Sequence, residues 1–392
     1  MTILGPKWQP RRTVPILWAI IAISIGSCAD PPSIVLQEDE ANVLFRDSEI
    51  KTDFLDHLPD TDRDPVPDTL VWLVPPKVED KLPCANLQIP FDFSPQKREF
   101  SHENGFWMMW ASFRSFYSDE EETAAELESI GFYRYEDLDN PLTGLQAYIA
   151  GGDDAVILAF RGSIEIIDWL ADFDISLREG EKVGQPGKVH RGISRVLEQS
   201  WSELEHTLAD FASAGQPIWI TGHSLGGALA TLAASRLASL GYTVGPLYTF
   251  AQPRVGNGAY AVQTWRLLQE AHYRYTNGRD VVPRFPPSAA AAPYAAELLP
   301  AGLLGGALRD LFVNLDYTHS GNLLLIEEDD RLTLHPAFDE EMNISYWSGL
   351  VAESDEKGLI GLITDIEQDV LHHESSYMCN VTELYLENKG RD

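Results

Sequence analysis

Between residues 145 and 277 the chain alternates short apolar runs with longer stretches in which apolar residues recur at helical spacing. "LQAYIA" (145–150) and "AVILAF" (155–160) read as strands, and "PIWIT" (217–221) as a buried one. "GPLYTFA" (245–251) and "YRYTN" (273–277) continue the series. Runs this short and apolar are the signature of strands covered on both faces. Three helices separate them: "ISRVLEQSWSELEHTLADFASAG" (193–215), closed by Gly215, "GGALATLAASRLASLG" (226–241) and "AYAVQTWRLLQEA" (259–271). Strands separated by helices require right-handed crossovers, which predicts an α/β fold with a mainly parallel central sheet and helices on both faces. Upstream, the aromatics of "FSHENGFWMMWASFRSFY" (100–117) fall at near-helical spacing and read as a core-packing helix. The sequence contains no internal repeat.

The flanks read differently. Residues 1–28 have a basic start (Lys7, Arg11, Arg12), the apolar stretch "VPILWAIIAISIG" and the small-residue ending "IGSC". That is the pattern of an export signal, too short for a comfortable membrane span. The small residues before Cys28 favour lipid modification of that cysteine, which predicts a cell-envelope lipoprotein anchored to the membrane through Cys28. Cleavage after Ala29, giving a secreted protein, is the alternative, and a retained anchor helix is a third. Residues 29–85 read as an acidic, Pro-rich spacer, and 86–392 as the main folded domain. If Cys28 carries lipid, Cys84 and Cys379 remain, either paired or as free thiols. Asn343 and Asn380 head sequons, relevant only in a glycosylating host. Residues 288–315 are apolar but punctuated by Pro and Gly, and read as a cover over a site or as a plain core insertion.

Charge narrows the partners. The 392-residue chain carries 29 basic and 60 acidic residues, a formal net charge of −31. Such a field repels phosphate backbones, so nucleic acid is not an expected partner, and anionic lipid is a poorer surface than neutral or zwitterionic lipid.

The candidate chemistry centres on Ser224, within Gly222-His223-Ser224-Leu225-Gly226. A G-x-S-x-G placed between a strand and a small-residue helix is a nucleophile elbow, whose glycines allow strand and helix to approach. A serine hydroxyl needs a base and an orienting carboxylate, and in α/β-hydrolases these follow in the order Asp or Glu, then His. Asp280, on the loop after "YRYTN", fits the acid. His319, His335, His372 and His373 lie beyond it, and spacing alone does not choose among them. The backbone N–H of Leu225, following the nucleophile, is one oxyanion donor. His190 and His223 fall outside the required order and read as structural. No metal or organic cofactor is expected, since no ligand cluster has zinc-site spacing.

Taken in order, "AFRGS", "VHRG", "TGHSLGGALATLAA", "YTFAQPRVGN", "YTNGRDVVPRFPP", "YTHSG" and a terminal His before "SSY" resemble the class 3 lipases, the family of the filamentous-fungal triacylglycerol lipases. The resemblance spans roughly residues 100 to 380. It implies Asp280 as triad acid, a terminal histidine as base, His319 in a structural loop position and Ser163 as the second oxyanion donor. The family's His five positions before a Tyr matches His372 and Tyr377, favouring His372 over His373. It also implies a helical lid in "SIEIIDWLADFDI", with Ile166, Trp169, Leu170 and Phe173 on its apolar face; the pattern by itself equally suits a core helix. Two positions depart from the family: Ala251 stands where Gly is frequent, and Leu371 where Asp usually precedes the base. The expectation is an exported serine ester hydrolase acting on acylglycerol lipid at an interface. Phospholipase A1 or feruloyl-type esterase activity is the alternative, and an inactive lipid-binding envelope protein the non-enzymatic one.

Overall fold

The computed structural model describes residues 70–72, 88–116, 119–162, 174–213, 215–278, 280–298, 315–327, 332–335, 343–354 and 373–389. Its centre is an eight-stranded sheet. In chain order the strands are β1 (Arg134–Asp137), β2 (Ala147–Gly151), β3 (Val156–Phe160), β4 (Ile218–His223), β5 (Leu247–Phe250), β6 (His272–Asn277), β7 (Asn322–Ile326) and β8 (Leu332–His335). Their order across the sheet is the same as along the chain. β3 to β7 run parallel, and the outer strands β1, β2 and β8 are antiparallel to their neighbours.

The expected strands are all present, and the pleat sorts their side chains onto two cores. Val156, Leu158 and Phe160 of β3 face one side with Ile218 and Ile220 of β4. Ile157, Ala159 and Trp219 face the other. Helices α2 (Arg191–Phe211), α3 (Leu225–Ser239) and α4 (Gly258–Leu267) join successive parallel strands, and all contribute to the first core. Right-handed crossovers in a sheet built in one direction put every such helix on one face. The other face is covered by the ends of the domain: α1 (His102–Arg114) and α5 (His373–Asn388). Helices do cover both faces, as the sequence suggests, but crossovers supply only one.

This explains the composition of α1. Ser101 caps it by accepting from the Asn104 N–H, and Phe106, Trp107, Trp110 and Phe113 are buried against the sheet. Each such side chain contributes roughly 2 kcal/mol by leaving water. The sheet also hydrogen-bonds to the helix: Tyr148 donates to the Ala111 carbonyl (2.8 Å) and Thr221 to that of Met108 (3.0 Å).

Helix α2 ends earlier than expected. Its cap is Ala212, whose ψ of 120° leaves the helix, and Gly215 (φ +82°) serves a separate turn. That turn is held by Gln216, which accepts from the Ser213 N–H and donates to the Gly152 carbonyl. Within the stretch read as a spacer, Leu70–Trp72 pairs antiparallel with Gln88–Pro90. Of the apolar segment 288–315, Ala292–Glu297 is helical, and Ala291, Ala292 and Ala295 share a third core with Val282, Tyr317 and Trp347. That part behaves as a core insertion; residues 299–314 lie outside the described residues. Asn343 is fully buried and donates to Ser288 Oγ (2.6 Å), so its sequon is closed to glycosylation in the folded chain.

Candidate active site

Strands β3 to β6 end at one edge of the sheet, and the chemistry-bearing residues follow those ends. Ser224 comes directly after β4, with φ 55° and ψ −124°. This is a left-handed conformation that costs an L-residue on the order of 1–2 kcal/mol. It is held from both sides, by the Ser224 N–H donating to the Phe250 carbonyl (2.9 Å) and by α3 starting at Leu225.

The glycines make the turn possible. A Cβ on Gly222 would lie 2.3 Å from the Gly226 carbonyl carbon, and one on Gly226 would lie 2.2 Å from the Phe160 carbonyl oxygen. Both partners are backbone and have no rotamer with which to yield. Gly226→Ala is therefore expected to destabilise the fold by about 3 kcal/mol or more. Urea denaturation reads this, and an unchanged midpoint would show that the elbow opens freely.

Ser224 Oγ is buried and makes no hydrogen bond among the described residues. Leu225, half-buried, is the first helical residue, so its N–H belongs to the donors at a helix start that lack an intrahelical partner. Against the elbow lies Gly162: a Cβ there would stand 2.6 Å from the His223 carbonyl and 3.4 Å from Ser224 Cβ. The loop leaving β3 thus lies against Ser224 one residue before Ser163. Ser163 itself lies outside the described residues, as do the lid positions Ile166, Trp169, Leu170 and Phe173.

Asp280 follows β6 by three residues and is 6% exposed. Its Oδ1 accepts from the Val282 N–H (2.9 Å) and its Oδ2 from the Tyr377 hydroxyl (2.7 Å). The loop that carries it is gripped from outside. Arg254, buried in the "QPR" that follows β5, donates through Nη1 to the carbonyls of Pro283, Arg284 and Pro286 (3.3, 2.7 and 3.0 Å). The Arg254 N–H adds a bond to the Phe285 carbonyl (3.0 Å). Nothing in sequence reasoning assigned Arg254 this part, although the motif contained it.

The histidines separate by place. His319 is buried and its Nε2 donates to the Pro283 carbonyl (2.6 Å), a further hold on the acid loop. His335 pairs with Leu323 near the start of β7, at the opposite edge of the sheet from Ser224. His190 caps α2, its Nδ1 accepting from the Ile193 N–H (3.3 Å); burial pushes its pKa down to about 3 and keeps it neutral. His223 packs its ring against Phe113 (5.1 Å) and Tyr377 (5.6 Å). His372 lies outside the described residues, immediately before α5, and His373 is the first residue of that helix. Tyr377, one helical turn further on, reaches Asp280. Cys379, also on α5, is disulfide-bonded, which answers the choice between paired and free thiol. Cys28 and Cys84 lie outside the described residues.

The departure at Ala251 acquires a physical meaning. Its φ is 52°, the left-handed region where glycine is free, and its N–H donates to the Tyr275 carbonyl (3.0 Å). The strain of about 1–2 kcal/mol is offset by a fully buried methyl and by lower chain entropy in the unfolded state.

A strand, a sharp turn at serine and a helix, on a mainly parallel sheet with an acid beyond a later strand, make the architecture that of an α/β-hydrolase. Residues 157–290 match the family model described as lipase (class 3). Over those residues the chain is similar to the class 3 lipases. The matched residues run from β3 to just past the acid loop and so include the elbow, Arg254 and Asp280. Among similar proteins, the secreted mono- and diacylglycerol lipase 1 of Fusarium solani is 37% identical over 151 residues, 37% of this chain and 44% of that protein. Phospholipase A1-II 1 of Oryza sativa subsp. indica is 32% identical over 159 residues, 33% of this chain and 39% of that protein. The chain thus spans less than half the length of these two relatives. The solved triacylglyceride lipase of Rhizomucor miehei aligns at a TM-score of 0.45 and 23% identity, covering 58% of this chain and 81% of that one.

Proposed function

We propose that this chain is a class 3 lipase, an exported carboxylic ester hydrolase acting on acylglycerols through Ser224, His372 and Asp280. The observation that carries the reading is the strained elbow: Ser224 at φ 55°, with Gly162 pressed against it and Asp280 three residues beyond β6 at the same edge of the sheet. Strain of this kind persists only where surrounding structure enforces it, and it clusters at reacting groups.

In the proposed reaction Ser224 Oγ attacks the ester carbonyl carbon while His372 accepts the hydroxyl proton. The tetrahedral oxyanion is met by the N–H of Leu225 and by Ser163, each such donor contributing roughly 2.7–4 kcal/mol in the transition state. The C–O bond to the alcohol breaks as His372 returns the proton to it, leaving an acyl-enzyme. Water, activated by the same base, then releases the fatty acid. Asp280 holds and stabilises the imidazolium throughout.

The segment of Ile166, Trp169, Leu170 and Phe173 acts as the lid, shielding the acyl site in water and meeting lipid at the interface. Export with a lipid at Cys28 rests on the basic, apolar and small-residue pattern of residues 1–28. The net charge of −31 favours neutral or zwitterionic lipid surfaces over anionic ones.

Phospholipase A1 activity is the second reading, favoured by the similarity to the rice protein of that name. Turnover on a panel of short-chain acylglycerols, triolein, phosphatidylcholine and methyl ferulate tests both. The expected order puts acylglycerols first. Preferential release of fatty acid from phosphatidylcholine would transfer the assignment to the phospholipase, and exclusive turnover of methyl ferulate would overturn the lipid reading.

A further inference from the structure

We infer that Tyr377 is the positioning residue of the catalytic acid, fixing Asp280 relative to the nucleophile elbow. The inference rests on the proposed triad and concerns a residue that lies in none of its three positions.

The tyrosine is fully buried on α5, 97 residues from the acid in sequence. Its contacts join two strand ends. Its hydroxyl donates to Asp280 Oδ2 (2.7 Å), it accepts from the Asn277 N–H at the end of β6 (2.8 Å), and its ring lies edge-on to that of His223 (5.6 Å, 65°), the residue before Ser224. One rigid ring therefore spans the strand end that carries the acid and the strand end that carries the nucleophile. The helix is registered by further bonds, Asn277 Nδ2 donating to Ser376 Oγ (2.7 Å) and Asn380 Nδ2 to Asn277 Oδ1 (3.4 Å).

The carboxylate geometry follows from these bonds. Val282 holds Oδ1 and Tyr377 holds Oδ2, so the carboxyl plane is set before an imidazole N–H takes a remaining lone pair. Burial, and then the adjacent Asp280 charge, raise the Tyr377 pKa well above 10, so the phenol stays a donor throughout the working range. Arg284 acts on the same phenol from the acid loop, and His223 faces it from the elbow.

A donor on Asp280 also tunes the base. It draws charge from the carboxylate and so weakens the stabilisation of the imidazolium. In Tyr377→Phe the carboxylate loses this donor, the imidazolium is held more tightly, and the acidic limb of the kcat/KM profile moves to higher pH.

The test compares wild type, Tyr377→Phe, Asp280→Asn and the double variant, with urea denaturation as a folding control. Tyr377→Phe is expected to lower kcat by about tenfold to a hundredfold, the range for a hydrogen bond to a charged group. KM should stay within about twofold, since the phenol acts away from substrate binding. The acidic limb should shift upward, and the double variant should be no slower than Asp280→Asn alone. If the Phe variant keeps the wild-type limb and kcat, or if its loss adds fully to that of Asp280→Asn, Tyr377 is only a packing residue. If Tyr377→Phe fails to fold, the milder pair Asn277→Asp and Ser376→Ala, which loosen the same registration, must show the limb shift or the inference fails. A folded wild type without turnover on any ester would overturn the hydrolase reading itself, a result distinct from an active wild type indifferent to Tyr377→Phe.

Discussion

Ser224→Ala is expected to lower kcat on the order of a million-fold while leaving the urea midpoint close to wild type. The two halves of that expectation have separate causes. In the proposed mechanism activity depends on the hydroxyl that forms the acyl-enzyme, and alanine offers no substitute for it. Stability does not depend on it: Ser224 Oγ makes no hydrogen bond among the described residues, and alanine inherits the same φ of 55°. Stopped assays on a soluble short-chain acylglycerol give the first value and equilibrium denaturation the second. A large fall in stability would mean that the serine is structural and the elbow reading wrong.

His372→Ala is expected to match that loss, and His373→Ala to retain most of the turnover. Of the histidines after Asp280, His319 donates to the Pro283 carbonyl and His335 sits at the far edge of the sheet. That leaves the pair just before and at the start of α5, a helix tied to Asp280 through Tyr377. In the proposed triad base and nucleophile act as one unit, so the Ser224→Ala/His372→Ala double variant should be no slower than either single variant. Full activity in His372→Ala with loss in His373→Ala would exchange the two assignments.

The strands were legible because each is a run that stays apolar on both sides, as "VILAF" and "LYTF" do, and the buried pattern of these residues is unbroken. The elbow was legible because its glycines are demanded by backbone contacts local in sequence. Which face each helix covers was not, since that depends on the order of strands across the sheet and no single segment carries it. The end of α2 was misread because glycine is the commonest stop, whereas here an extended Ala212 stops the helix and Gly215 turns the chain afterwards.

The position of Asp280 beyond a strand end could be read from the strand before it. The bonds that hold it could not: Tyr377 lies 97 residues downstream, and Arg254 reaches carbonyls 29 to 32 residues ahead. Such contacts exist only once the sheet has brought the ends of β4, β5 and β6 together. The spacing between a terminal histidine and a tyrosine, and the arginine of "AQPR", were their traces in the sequence.

The central claim is that Ser224 is an activated nucleophile, and covalent labelling of the folded chain with a fluorophosphonate probe tests it most directly. The account predicts one adduct, on the tryptic peptide containing Ser224, absent from Ser224→Ala and suppressed by an ester substrate. A folded, detergent-activated wild type that takes up no probe, or takes it up equally in Ser224→Ala, would contradict it.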